Sequence, residues 1–92
     1  MVLETMREQV LAIAREHGAT RVRVFGSVAR GDATEDSDVD LLVDLDRGRG
    51  LLDVCGITAD LRELLGRRVD VVTEESLNWL LRRRILREAR PL

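Results

Sequence analysis

The stretch Asp38-Val39-Asp40-Leu41-Leu42-Val43-Asp44-Leu45 constrains this chain more than any other. Its period of two puts Val39, Leu41, Val43 and Leu45 on one face of a strand and Asp38, Asp40, Leu42 and Asp44 on the other. Such a strand needs an apolar layer under one face and presents carboxylates on its reverse. The remaining segments can supply that layer. Val2, Leu3, Met6, Val10, Ile13, Ala14 and His17 recur at three- and four-residue steps before Gly18, which predicts an amphipathic helix over residues 2–17 with a glycine cap. Arg21–Phe25 alternates and runs into Gly26-Ser27, a strand delivered into a tight turn. The polar segment 28–37 has room for one helical turn at most. Leu51, Val54, Ile57, Leu61, Leu64 and Leu65 mark a second long helix ended by Gly66, at some cost from Gly56 inside it. Arg67–Thr73 is rich in β-branched residues and reads as a third strand, and Thr73–Ser76 supplies caps for a last helix to about Ala89. On that helix Leu77, Leu80, Leu81, Ile85 and Leu86 can pack on the domain. The expected architecture is an α/β (α+β) fold, a small mixed three-stranded sheet covered by helices, in one domain over residues 1–92.

Composition narrows the function classes. A chain of 92 residues with a single cysteine, Cys55, can form neither an internal disulfide nor a structural zinc site. The longest unbroken apolar run, Val10–Ala14, cannot span a membrane, and Glu4 stands where an export signal carries positive charge, so a cytoplasmic location is expected. All fifteen basic side chains are arginines. Seven acids and no base fall between Asp32 and Asp46, whereas five arginines accompany one glutamate between Arg82 and Arg90. One Phe, one Trp and no Tyr leave no stacking platform for single-stranded nucleic acid. The acidic half would also repel phosphate backbones, which makes nucleic acid an unfavourable partner.

Asp38 and Asp40 leave the same face of a strand roughly 7 Å apart, and at an effective dielectric of 20 their charges repel by about 2 kcal/mol. A hard divalent cation relieves that best, because Mg²⁺ takes a few carboxylate oxygens and fills its octahedron with water and phosphate. Asp70, between Val69 and Val71, is a third acid without structural purpose unless a cation or donors meet it, so Asp38, Asp40 and Asp70 on two strands read as one metal cluster. Gly26-Ser27 adds a backbone without Cβ, an N–H and a hydroxyl, all suited to a phosphate. The other acids near the turn, Asp32, Glu35, Asp36, Asp44 and Asp46, read as a solvated surface.

The run Gly26-Ser27-Val28-Ala29-Arg30-Gly31-Asp32-Ala33-Thr34-Glu35-Asp36-Ser37-Asp38-Val39-Asp40-Leu41 resembles the signature of the DNA polymerase β-like nucleotidyltransferase superfamily, and within it the minimal nucleotidyltransferase (MNT) family. Arg68-Val69-Asp70-Val71-Val72 looks like that family's third-acid strand. The resemblance implies that Gly26 and Ser27 hold the nucleotide's β and γ phosphates, that Asp38 and Asp40 bind one or two Mg²⁺, and that Asp70 completes the site and is a candidate proton acceptor. ATP would be the nucleotide donor. With no lysine in the chain, Arg30 is the nearest cation for phosphate, although pairing with Asp32 or Asp36 is an equal alternative. Ser37 either touches the nucleotide or caps the turn.

Members of the resembled family are typically encoded beside a HEPN-domain protein, usually an RNase toxin. They act as its antitoxin by binding it and transferring AMP to it. The expected activity is therefore Mg²⁺-dependent transfer of AMP from ATP to a hydroxyl of a HEPN toxin. The alternative is a non-catalytic module that neutralises its partner by occlusion. Trp79 and the arginines of the last helix are residue types favoured at such interfaces, although a solvated face is their default reading. His17 at a helix C-terminus reads as a cap, and Cys55 as a small core or helix-surface residue.

Overall fold

The computed structural model describes residues 2–92, and of Val2 the backbone only, so the expected place of its side chain lies outside the described residues. The elements are α1 (Val2–Thr5), α2 (Arg7–Glu16), β1 (Ala19–Phe25), α3 (Gly26–Arg30), β2 (Val39–Leu45), α4 (Leu51–Leu65), β3 (Val69–Val72), a 3₁₀ turn (Glu74–Ser76), α5 (Trp79–Glu88) and β4 (Arg90–Pro91). The sheet runs β3-β2-β1-β4. β1 is antiparallel to both neighbours, while β2 and β3 are parallel, a pairing that requires a crossover and receives it from α4.

The apolar layer forms as the pattern requires. Val22, Val24, Val39, Leu41, Val43 and Val69 from one face of the sheet pack with Leu3, Val10 and Ala14 from α1 and α2 and with Ile57, Leu61 and Leu65 from α4. Gly18 and Gly66 follow α2 and α4 with φ +86° and +64°, the left-handed backbone that glycine adopts without strain. Gly56 inside α4 has a packing reason: a Cβ there would sit 2.6 Å from Cε1 of His17. The His17 ring crosses to α4 and meets Asp60 at 2.8 Å from Nε2, so it ties two helices together besides standing at the end of α2. Cys55 is exposed on α4.

The sheet has four strands rather than three. β4 is only Arg90–Pro91, paired with Val24 and Arg23 of β1, and two residues with a proline carry no readable periodicity. An edge position tolerates the missing proline N–H. The first helix is broken at Met6, whose φ −103° and ψ 16° lie outside the helical region, and Leu3 of the short α1 is buried in the core. Thr73–Ser76 closes the 3₁₀ turn instead of capping the last helix. Asn78 caps α5, its Oδ1 accepting from the N–H of Leu81 at 3.0 Å. Of the apolar residues assigned to pack from that helix, Ile85 is buried, but Leu80 and Leu81 are 63% and 44% exposed beside an exposed Trp79. Leu42, on the acidic face of β2, is fully buried, because that face is covered too.

Candidate active site

The acidic face of β2 carries the candidate site because pairing brings the right residues level. Asp40 stands opposite Phe25 of β1 on one side and opposite Asp70 of β3 on the other. In-register residues of paired strands share a face, so Asp70 lies on the same side of the sheet as Asp40. Asp38 immediately precedes β2, anchored by the bond from the Val39 N–H to the Arg68 carbonyl at 2.9 Å.

β1 ends at Phe25, and α3 begins at once with Gly26 at φ +72°. A Cβ on Gly26 would collide with Oδ2 of Asp40, so this glycine both makes the turn and lets the carboxylate lie against the backbone. Gly26, Ser27, Arg30, Ser37, Asp38 and Asp40 line one cleft of about 410 Å³ with Phe25 and with Leu81, Arg84, Ile85 and Glu88 of α5. Asp70 is not among the lining residues; it flanks the cleft through its pairing with Asp40.

The charges in this cleft are unevenly matched. Among the described residues no donor reaches the Asp40 carboxylate. Burial pushes its pKa above the ordinary value, the negative charges of Asp70, Asp38 and Glu88 push the same way, and Arg30 pulls against them. Among the described residues Asp38 has only Arg68, at 3.9 Å. Arg30 is bound at both ends of its guanidinium, to Glu88 at 2.8 Å and to Asp32 at 3.4 Å, so the pairing alternative read from the sequence is formed. The Ser37 hydroxyl accepts from the Thr34 N–H at 2.8 Å and closes the turn while still lining the cleft.

Among the described residues, no three His, Cys, Asp or Glu side chains are assembled into a cluster that would enclose a metal by themselves. Mg²⁺ does not need one, since it binds through one or two carboxylates and keeps places for water and substrate phosphates. The donor set fits that mode: Asp38 and Asp40 line the cleft, Asp40 has no direct hydrogen-bond or ion-pair partner among the described residues, and the glycine backbone leaves space beside it.

Two contributions were invisible in the sequence. Glu88, Arg84, Ile85 and Leu81 form an i, i+3, i+4, i+7 stripe on α5, but nothing local says that this stripe faces Asp40. Arg23, read only as the polar half of an alternating strand, is 8% exposed and reaches Asp44 at 3.6 Å and Glu74 at 3.4 Å.

The chain is similar in sequence and fold to known nucleotidyltransferases. A nucleotidyltransferase domain is matched across residues 6–92. The chain is 40% identical over 89 residues to MJ0435 of Methanocaldococcus jannaschii, a protein assigned as a protein adenylyltransferase, covering 97% of this chain and 96% of that one. It is 45% identical over 71 residues to the protein adenylyltransferase MntA of Thermococcus cleftensis, covering 77% and 72%. A solved structure described as a minimal nucleotidyltransferase superposes with a TM-score of 0.87 at 56% identity, covering 99% of this chain and 93% of that one. A toxin–antitoxin complex with AMP-PNP shares the fold at 19% identity, with a TM-score of 0.78 over 91% of this chain and 69% of its own. By sequence and fold, this chain is a nucleotidyltransferase and belongs to the nucleotidyltransferase domain family, in its minimal form.

Proposed function

We propose that the chain, as a single minimal domain, transfers AMP from ATP to a hydroxyl of a partner protein with Mg²⁺ as cofactor, and that the partner is a HEPN-type toxin which it silences. The observation that carries the chemistry is the level pairing of Asp40 with Asp70 beside a glycine on which a side chain would displace the Asp40 carboxylate. The relatives named as protein adenylyltransferases support AMP as the transferred group, and the related toxin–antitoxin fold solved with AMP-PNP supports both nucleotide and partner.

In this reading Asp38 and Asp40 hold the metal, with Asp70 completing the acidic set. Bound there, Mg²⁺ would offset the charge that builds on the α-phosphate and on the departing pyrophosphate. Gly26 and Ser27 bring an N–H and a hydroxyl to the β and γ phosphates, and Gly26 keeps that approach open. Arg30 holds Asp32 through Nε and Glu88 through Nη1, which leaves Nη2 to reach a phosphate, and Ser37 holds the turn that delivers Asp38. Asp70, one strand over from the metal ligands, accepts the proton as the acceptor oxygen attacks phosphorus. Few covalent duties fall on side chains, because phosphoryl chemistry is carried mostly by position and electrostatics.

Incubating the chain with its cognate partner, ATP labelled on the α-phosphate and Mg²⁺ should label the partner, and Asp38→Ala with Asp40→Ala should remove the label. The occlusion reading has one supporting observation, the exposed Trp79, Leu80 and Leu81 at the start of α5. It requires the double variant to neutralise the partner as well as the unaltered chain does.

A further inference from the structure

We propose that Arg84 is the cation that meets the nucleoside triphosphate from the α5 side of the cleft, a phosphate contact that the signature run around Gly26 does not contain. The inference rests on the nucleotide-transfer reading and names a residue of that same site. The cleft is lined by two arginines and three carboxylates, Arg30 and Arg84 against Asp38, Asp40 and Glu88. Arg30 already shares its charge with two carboxylates, Glu88 through Nη1 and Asp32 through Nε. Arg84 is exposed, lines the cleft, and among the described residues makes no hydrogen bond or ion pair.

The need for such a residue follows from charge. A triphosphate brings about four negative charges toward Asp38 and Asp40, and a divalent ion leaves much of that repulsion in place. An arginine fork can bind two phosphate oxygens at once, and an uncommitted one gives up no internal partner in doing so. The position suits it. Arg84 is one turn from Glu88, which is tied to α3, and α3 begins at Gly26-Ser27. Arg84 therefore shares one cleft with the glycine-serine turn, on a helix that the Arg30–Glu88 pair ties to α3. Arg83 next to it is exposed but does not line the cleft, which makes it the natural control.

The experiment is a titration of the full chain with ATP and with adenosine, in Mg²⁺ and in EDTA, read by calorimetry. Arg84→Ala should weaken ATP binding about tenfold, the usual worth of a charge-assisted contact, while adenosine binding stays within about twofold. Arg84→Lys should recover part of the loss as a point charge, and Arg83→Ala should cost ATP no more than about twofold. Thermal unfolding should be unchanged in each variant, because neither arginine has an internal partner. The assignment is overturned if Arg84→Ala and Arg83→Ala behave alike, if ATP and adenosine fall together, or if Arg30→Ala costs more than Arg84→Ala. An unaltered chain that binds no ATP ends the nucleotide reading itself; normal ATP binding that survives Arg84→Ala ends this assignment alone.

Discussion

Asp40 and Asp44 lie on the same face of the same strand, four residues apart, and meet opposite fates. Asp44 has Arg23 at 3.6 Å, and Arg23 in turn reaches Glu74 at 3.4 Å, so the acid at the far end of β2 is paired from within. Asp40 has another carboxylate level with it on β3, a third two residues earlier, and no donor. An acid serving only stability would be placed like Asp44, because a buried charge is tolerated when it is paired. Asp40 is kept unpaired in a cleft, which is where a protein stores charge for a ligand. The opposite face of the same strand makes the contrast sharper, for Val39, Leu41 and Val43 are buried there and do nothing but pack.

The largest effects should separate those two faces. Asp40→Asn should lower AMP transfer by roughly a thousandfold or more, the scale on which a single charge-stabilising group acts, and leave the fold intact by circular dichroism. Leu41→Ala should do the reverse, costing about 2–5 kcal/mol in denaturant unfolding while the folded fraction keeps its transfer rate. If Leu41→Ala abolished transfer in fully folded protein, the division between the faces would fail.

Gly26→Ala comes next. The added Cβ meets the Asp40 carboxylate, and the backbone at φ +72° disfavours alanine, so one substitution strikes the turn and this carboxylate together. A loss of about 1–2 kcal/mol in stability should accompany a transfer loss of roughly a hundredfold. A variant with normal transfer would mean that the close approach of Asp40 to this turn is incidental.

The smallest effect concerns pH in the metal-free chain. The folded pKa of Asp40 is raised, first by burial and then by Asp70, so the unfolded chain releases this proton at lower pH than the folded one. Between the two values the folded state binds more protons, and stability falls as pH rises through that window just above the ordinary carboxylate range. In EDTA, Asp40→Asn should therefore unfold a few degrees higher than the unaltered chain at neutral pH, with the difference shrinking toward acid. Melting curves across pH 3 to 7, roughly spanning the window for a raised carboxyl, test this. A lower melting temperature for Asp40→Asn at neutral pH would show that its charge is compensated after all.

Much of this was legible in the sequence because period-two patterning fixes both the strand and its faces at once. Asp38, Asp40 and Asp70 could be named from apolar neighbours and spacing, and Gly26 from its place at the end of a strand. The remainder depends on long-range pairing. The opposition of Asp40 and Asp70 needs the register of β2 on β3, a parallel match across a crossover helix that no local pattern specifies. The stripe Leu81, Arg84, Ile85 and Glu88 shows helical spacing, yet whether a helix stripe faces the core, solvent or a cleft is decided by where its neighbours lie. Helical spacing alone lets Leu80 and Leu81 pack on the domain, yet both are exposed. β4 escaped notice because two edge residues make strand hydrogen bonds without any pattern.

On the proposed reading, the carboxylates beside Gly26 gather a divalent ion together with a nucleoside triphosphate. Anomalous scattering from crystals grown with Mn²⁺ in place of Mg²⁺ and a non-hydrolysable ATP analogue tests it most directly. A metal peak bridging Asp38 and Asp40 and touching a phosphate oxygen is the predicted result. A nucleotide seated in the cleft with no metal at either aspartate, or a metal bound elsewhere on the chain, would contradict the claim.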